Sequence, residues 1–483
     1  MGHIVGQSRD QLALFPTTLD EAVSADHPVR VIDAFVDSLD LRGLGFSKVA
    51  AEATGRPPYA PGDLLKLYIW GYANRVRSSR GLEREAERNV ELMWLVHGLT
   101  PAFKTIADFR KDHPEAIVAV CRQFIQFCRE LSLLGGEIVA IDGTKVEAVA
   151  SRKKVLTPAS LEKAQAALDR KIAEHLAAMD AADREADRED GGKSAGAVDR
   201  KAVGRALEEL RRRREKAQAQ AEHLERQGLS QLVVGESEAK LMRTARHGYQ
   251  VAYNAQTAVD AEHKLIVAFD LTNDGNDLRQ LHPMAVQSKE ALGVDELTAV
   301  ADTGYSNGEH GQRCADDGVT AIVPRAATFN KAGEQYFTRD RFNYDAASDT
   351  WQCPAGATLR CRKVSPIQQN KLYWGAPCAG CALKPQCTPA AKRVVVRHFY
   401  EDAREAMHQR AVGNPVWMAL RRAVVEHPYG TIKWLMCYPR FLVRGLKKAK
   451  AELALAVMGY NLKRVTNMLG VVALLLALQP LPG

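Results

Sequence analysis

The chain has 483 residues, 46% of them hydrophobic and 26% charged, and carries a net charge of +8. That length exceeds what one core normally serves, so two to four structural units of a soluble globular protein are expected, with ample apolar material to bury and, without a secretory signal, no disulfide framework. The first residues lack a basic segment followed by an apolar one, and the apolar run 468–478 is about half the length a membrane helix needs. A cytoplasmic protein with a buried C-terminal helix and no membrane partner is therefore expected.

Residues 1–135 read as helical. The segment Pro61-Gly-Asp-Leu-Leu-Lys-Leu-Tyr-Ile-Trp-Gly-Tyr72 opens on proline and repeats apolar residues at helical spacing. Thr105-Ile-Ala-Asp108 resembles a capping box ahead of a long helix carrying Ile117, Val118, Phe124, Ile125 and Phe127. Ten basic and six acidic residues between Arg56 and Lys111, with Arg75, Arg77, Arg80, Arg84 and Arg88 close together, make a helical DNA-binding region the expectation. An ordinary solvated bundle would carry the same charges.

Strand character begins at 137–142 and returns at 249–259, 263–271, 297–301 and 319–323, which indicates a mixed α/β core over 136–155, 229–325 and 399–470. Between the first two strands, 156–228 has no aromatic residue. Leu161, Leu168, Ile172, Leu176 and Met179 mark one apolar helical face, and Val203, Leu207, Leu210, Ala217, Ala221 and Leu224 mark another. An antiparallel helical hairpin inserted into the core follows. Arg211 to Arg214 on its second helix read mainly as a solvated face, with contact to a nucleic-acid backbone as the alternative.

A second insertion, 326–398, holds Cys353, Cys361, Cys378, Cys381 and Cys387. Cys378-Ala-Gly-Cys381 has the pair spacing of a zinc knuckle, and Cys353 and Cys387 could complete a structural Zn2+ site; reduced free thiols are the alternative. Cys121, Cys128, Cys314 and Cys437 stand alone and read as packing residues. A tail, 471–483, closes the chain.

Three acids carry the chemistry. Asp142 and Asp302 each end an apolar run, and Glu426 lies downstream with Arg422 four residues before it and Lys433 seven after. Three carboxylates gathered at neutral pH repel one another unless hard divalent cations neutralise them, so metal-dependent phosphoryl chemistry is indicated. Asp260, Asp270, Asp274 and Asp277 also follow strand-like runs, and Asp277 is the strongest rival. From 421 to 464 ten Lys and Arg face only Glu426 and Glu452, which suggests phosphate contact through residues such as Arg444, Lys447 and Lys448. Lys145 and the strand-borne Asn254 and Gln256 are further candidates for DNA contact. His427 reads as packed or solvated, and Pro428 implies a kink or a helix start near Glu426.

The order of these elements is that of the ribonuclease H-like fold: an acid-tipped strand, two strands, a second acid-tipped strand, a fifth strand and a helix bearing Glu. The residues themselves resemble a DDE-type transposase of bacterial insertion sequences, in the group with an N-terminal helical region and a Cys-bearing insertion before the Glu. The carriers are Asp142-Gly-Thr144, Tyr253-Asn-Ala-Gln256, Asp302-Thr-Gly-Tyr305, Arg422-x3-Glu426-x6-Lys433 and Gly459-Tyr-Asn-Leu-Lys-Arg464. Where that pattern commonly has Tyr three residues before the Arg, Ala419 stands here, with Tyr429 on a neighbouring turn as a substitute. The resemblance implies a ribonuclease H-like five-stranded mixed sheet with flanking helices. It also implies two Mg2+ ions, replaceable by Mn2+, with Asp142 bridging them, Asp302 holding one and Glu426 the other. Arg422 and Lys433 would position phosphates. The implied partners are the element's terminal inverted repeats and target DNA, bound by a homodimer at the nucleoid. A nuclease that cuts without joining, or a catalytically silent DNA-binding relative, are the rival functions.

Overall fold

The structure is a computed structural model that describes residues 18–50, 57–186, 200–244, 248–325, 336–375, 377–435 and 440–479. Six helices come first: α1 (Pro28–Asp37), α2 (Pro61–Ala73), α3 (Ser79–Arg88), α4 (Val90–Leu95), α5 (Phe103–Asp112) and α6 (Pro114–Glu130). Prolines open α1, α2 and α6, where the missing N–H would have had no helical partner. Ser78 and Asn89 cap α3 and α4 through their side-chain oxygens. The capping box expected at Thr105 is not formed. Thr105 lies inside α5, which already starts at Phe103, and Pro114 disfavours helical geometry at His113 and so separates α5 from α6.

The central sheet contains β1 (Ile138–Glu147), followed after a short pair, β2 (Val155–Leu156) and β3 (Leu232–Val233), by β4 (Lys240–Thr244), β5 (Gly248–Asp260), β6 (Ile266–Thr272), β7 (Leu297–Val300) and β8 (Val319–Ile322). Its order is β6-β5-β1-β7-β8. The β6-β5 and β5-β1 pairs are antiparallel and the β1-β7 and β7-β8 pairs are parallel. A sixth strand, β4, shares the outer edge of β5 with β6. Strand β1 also runs five residues past Asp142, where Gly143-Thr-Lys-Val-Glu147 reads locally as a turn but pairs fully with β5.

Between β2 and β3 stand α7 (Pro158–Ala186) and α8 (Arg200–Arg226). Gln165 bonds Gln218 and Asp169 bonds Arg214, so one helix rises as the other descends. Their buried cluster is small, centred on Leu161, Ala217 and Leu224, while Leu176 is exposed. Helices α9 (Leu281–Leu292) and α10 (Gly308–Asp316) follow the third and fourth strands of the β6-β5-β1-β7-β8 series in chain order.

Residues 343–398 form a separate antiparallel meander, β9 (Asn343–Asp345), β10 (Thr350–Gln352), β11 (Thr358–Ser365), β12 (Asn370–Trp374) and β13 (Val395–His398), with the one-turn helix α11 (Lys384–Cys387) between the last two. The chain then returns through α12 (Glu401–Gly413) and α13 (Val416–Gly430) to the central sheet, passes a π-helical turn at Thr431–Leu435, and ends in α14 (Leu446–Leu469) and α15 (Val471–Leu478).

Helix α14 is the axis of the molecule. It is buried almost all round from Ala449 to Val465 and packs on α2, α6 and β6, so the N-terminal helices and the sheet share one apolar core. Gly459 permits the close approach: a Cβ there would lie 3.1 Å from the Tyr72 backbone. Asn461 then bonds both the N–H and the carbonyl of Ile266 at 2.9 Å, which fixes the helix to the edge of β6. Glu452, fully buried, accepts from the Leu442 and Val443 N–H groups and from Arg77. The expected C-terminal helix does form as α15, yet it buries only Val471 and Leu474, and Val472 and Leu476 face solvent. No single described helix is long and apolar enough to cross a membrane.

Candidate active site

Asp142 is the fifth residue of β1, and Asp302 lies two residues beyond β7. The parallel register pairs Ala140 with Val300, so two more residues along each strand bring Asp142 level with Asp302. Their carboxylates meet on one guanidinium: Arg421 Nη2, from α13, lies 2.7 Å from Asp142 Oδ1 and 3.2 Å from Asp302 Oδ2. Asp302 Oδ1 also accepts from the Gly304 N–H at 2.8 Å, which forms the turn after the strand.

Burial pushes the Asp142 carboxyl up to about 6 despite the pull of Arg421, and the charges of Asp302 and Asp277 add to the rise. A folded site that resists ionising its central carboxylate is one that calls for more positive charge than a single arginine supplies.

Asp277, in the loop before α9, is the third acid in this neighbourhood. Its Oδ1 accepts from Asn254 Nδ2 and Gln256 Nε2, both at 2.7 Å, and from Lys145 Nζ at 3.3 Å. Asn254 and Gln256 are fully buried and spend their amides on this carboxylate, with Tyr305 donating to Gln256 Oε1 beneath them. Gly143 is required by the same packing. A Cβ there would meet Gln256 Nε2 at 2.3 Å and Asp277 Oδ1 at 2.6 Å.

Helix α13 is clamped to the sheet by Tyr429, whose hydroxyl lies 2.9 Å from the Asp142 carbonyl and receives a hydrogen bond from Thr257 at 3.0 Å. Lys433 Nζ, on the π turn, donates to Thr144 Oγ1. Glu426 is exposed and has no side-chain hydrogen bond or ion pair among the described residues. It lies five residues beyond Arg421, about 140° around the helix. Arg422 is exposed too, its Nε near the Met418 carbonyl. The motif spacing singled out Arg422, but adjacent helical residues point about 100° apart, and it is Arg421 that faces the carboxylates. His427 is held by the Tyr460 hydroxyl at 2.9 Å.

Farther along the basic stretch, Arg444 is exposed, Lys447 pairs with Glu115 and Lys448 is half-buried. Cys121, Cys128 and Cys314 are buried, Cys437 lies outside the described residues, and Cys353, Cys378, Cys381 and Cys387 line one cavity in the meander.

Among the described residues no three acids, histidines or cysteines are drawn together closely enough to hold a metal ion. The donor set is nevertheless suited to a hard divalent cation: two carboxylates, level with one another, already share one positive charge.

Two family profiles match the chain, a transposase domain (DUF772) over 17–112 and a transposase DDE domain over 352–466. The second spans Arg422, Glu426, Lys433 and most of α14, and the first spans the N-terminal helices from before α1 through α5. No curated protein and no solved structure matches at a significant level. A transposase-domain match near one end and a DDE-domain match toward the other support a DDE-type insertion-sequence transposase.

Proposed function

We propose that the protein cleaves DNA strands at the ends of an insertion sequence and joins them to target DNA by phosphoryl transfer, with Asp142, Asp302 and Glu426 as the metal-holding carboxylates. The observation that carries this reading is the pair of strand-borne acids brought level by the β1-β7 register and bridged by Arg421. The strand order β6-β5-β1-β7-β8, with three antiparallel strands followed by two parallel to the first, supports a ribonuclease H-like scaffold extended by β4.

Divalent metal use is implied by the DDE family, and Mg2+ or Mn2+ held by these acids would activate the attacking hydroxyl and stabilise the leaving oxygen. The chain's own residues do the rest. Arg421 offsets part of the negative charge of Asp142 and Asp302 and would stand beside a metal held by these acids as a phosphate ligand. Tyr429 fixes the backbone of Asp142. Asn254, Gln256 and Lys145 hold Asp277, which makes it a positioning acid behind the pair. Arg422, Lys433, Arg444, Lys447 and Lys448 lie on the segment that would follow the DNA backbone. Glu426 is the helix-borne third acid of this set, just ahead of Pro428 and the π turn.

In the same reading 1–135 contacts the terminal inverted repeats and two chains pair the two ends near the nucleoid. Residues 156–228 and 326–398 are insertions in the catalytic core 136–155, 229–325 and 399–470, and 471–483 is a tail. A supercoiled plasmid carrying the element's ends, incubated with protein and Mg2+, tests it. Joined products that vanish with Asp142→Asn and Asp302→Asn are expected; nicked products that are never joined would leave only a nuclease.

A further inference from the structure

The meander 343–398 is a small unit with a small core. Its buried apolar cluster consists of Phe342, Trp351, Leu359, Tyr373 and Val395, five residues for five strands. Units of this size rarely hold together on a core alone and are commonly stapled by a disulfide or a metal. All of the cysteines here are free thiols.

Four of those thiols converge from two turns. The first turn follows β10, where the Cys353 N–H bonds the Ala357 carbonyl at 2.9 Å and the Gly356 N–H bonds the Cys353 carbonyl at 2.8 Å. Gly356 has φ +79°, a conformation the tight reversal requires. The second follows β12, where Cys378-Ala-Gly380 makes one 3-10 turn, Cys381 comes next, and α11 ends on Cys387. Cys353, Cys378, Cys381 and Cys387 line a single cavity of about 280 Å3, walled by Phe337 and Leu383. Cys361 stands apart, its Sγ 3.9 Å from the Lys363 carbonyl.

Arg393 lines the same cavity. Its Nη atoms bond the Cys387 and Phe337 carbonyls at 3.0 Å, and its Nε is buried without a hydrogen-bond partner. Four thiolates around Zn2+ carry two net negative charges, so a half-buried guanidinium with an unused N–H at the wall is the complement such a centre needs.

We propose that Cys353, Cys378, Cys381 and Cys387 bind one structural Zn2+ that staples the meander, with Arg393 balancing its charge. The four sulfurs surround the cavity without yet lying within metal-ligand distance of a common point. Binding therefore draws the two turns together, and the four thiols release their protons to solvent as the Zn–S bonds form. The site is independent of the DNA chemistry assigned to Asp142 and Asp302.

The test is the metal content of the full chain, purified without chelator and measured by elemental analysis. About one zinc per chain is expected, as for a closed four-thiolate site. Cys361→Ser should retain it, and Cys378→Ser combined with Cys381→Ser should lose it. Because the double variant could fail to fold, the wild type is also reconstituted with Co2+ after zinc removal. A tetrahedral thiolate-to-cobalt absorption spectrum is expected, and Cys387→His should shift it while keeping the metal. A wild-type chain that holds no zinc and gives no thiolate–cobalt absorption overturns the proposal, as does zinc that survives loss of Cys378 and Cys381.

Discussion

Two of the motif acids ride on the sheet and the third rides on a helix, and the two settings hold a side chain very differently. Asp142 and Asp302 are placed by parallel β register, by backbone amides and by a shared arginine. Glu426 stands on the last turns of a helix that contains Pro428 and widens into a π turn, and its carboxylate is exposed. The sheet presents donors in advance. The helix leaves its carboxylate in solvent, about 140° around from the arginine that joins the other two.

The largest effect expected on that comparison is catalytic. Asp142→Asn, Asp302→Asn and Glu426→Gln should each lower strand transfer roughly 10^3-fold, the scale of removing one preorganised electrostatic group. Asp277→Asn should cost far less, because its hydrogen-bonding role can be kept by an amide. A plasmid strand-transfer assay decides this, and near-normal activity of Glu426→Gln would confine catalysis to the sheet. Loss with Asp277→Asn alone would exchange the roles of Asp277 and Asp302.

Next in size is the removal of Arg421. Arg421→Gln leaves two adjacent carboxylates without their cation, and breaking a mostly buried pair costs about 3 kcal/mol. Thermal melting in chelator should show the loss, and added Mg2+ should restore more stability to the variant than to the wild type. Equal Mg2+ effects in both would mean that arginine and metal do not compete for these acids.

A smaller effect follows from the Asp142 carboxyl. Its folded pKa, about 6, lies above the ordinary 3.8, so the folded chain binds this proton more tightly than the unfolded chain does. Below pH 4 both states are protonated and Asp142→Asn changes nothing through this route. Between about pH 4 and 6 the wild type loses stability as pH rises, and above 6 the metal-free Asn variant should be the more stable by roughly 2–3 kcal/mol. Melting temperatures at pH 4 and pH 7.5 in chelator measure the difference.

The smallest is steric. Gly143→Ala drives a methyl into Gln256 and Asp277 and should destabilise by about 1–3 kcal/mol, whereas Gly275→Ala, in open space, should be near neutral. Denaturant melts of both variants compare a crowded glycine with a free one.

Strand positions were legible wherever an apolar run was continuous, as at 138–141, 297–301 and 319–323. They were hidden where polar residues pair on a protected face: the second half of β1, Gly143 to Glu147, resembles a turn because its stability comes from β5 rather than from its own side chains. The same reason hid β4 and the whole meander, whose strands are short and rich in Lys, Arg, Thr and Asn. Asn254 and Gln256 could be placed on one strand face from their spacing, but their engagement with Asp277 depends on a loop 20 residues later. Arg421 was missed by one position. Local spacing cannot say which of two neighbouring arginines a helix turns toward the sheet, and that is decided by how Tyr429, Val424 and Val425 seat α13.

Helix α14 has a consequence for how this protein comes into being. The helices α2 and α6 pack on it, yet about 315 residues separate the end of α6 from its first turn. At bacterial synthesis speeds that interval lasts roughly 15–60 s. Throughout it the faces of α2 and α6 that α14 covers in the finished fold lie open, so the nascent polypeptide exposes apolar surface of the kind that makes folding intermediates prone to aggregate.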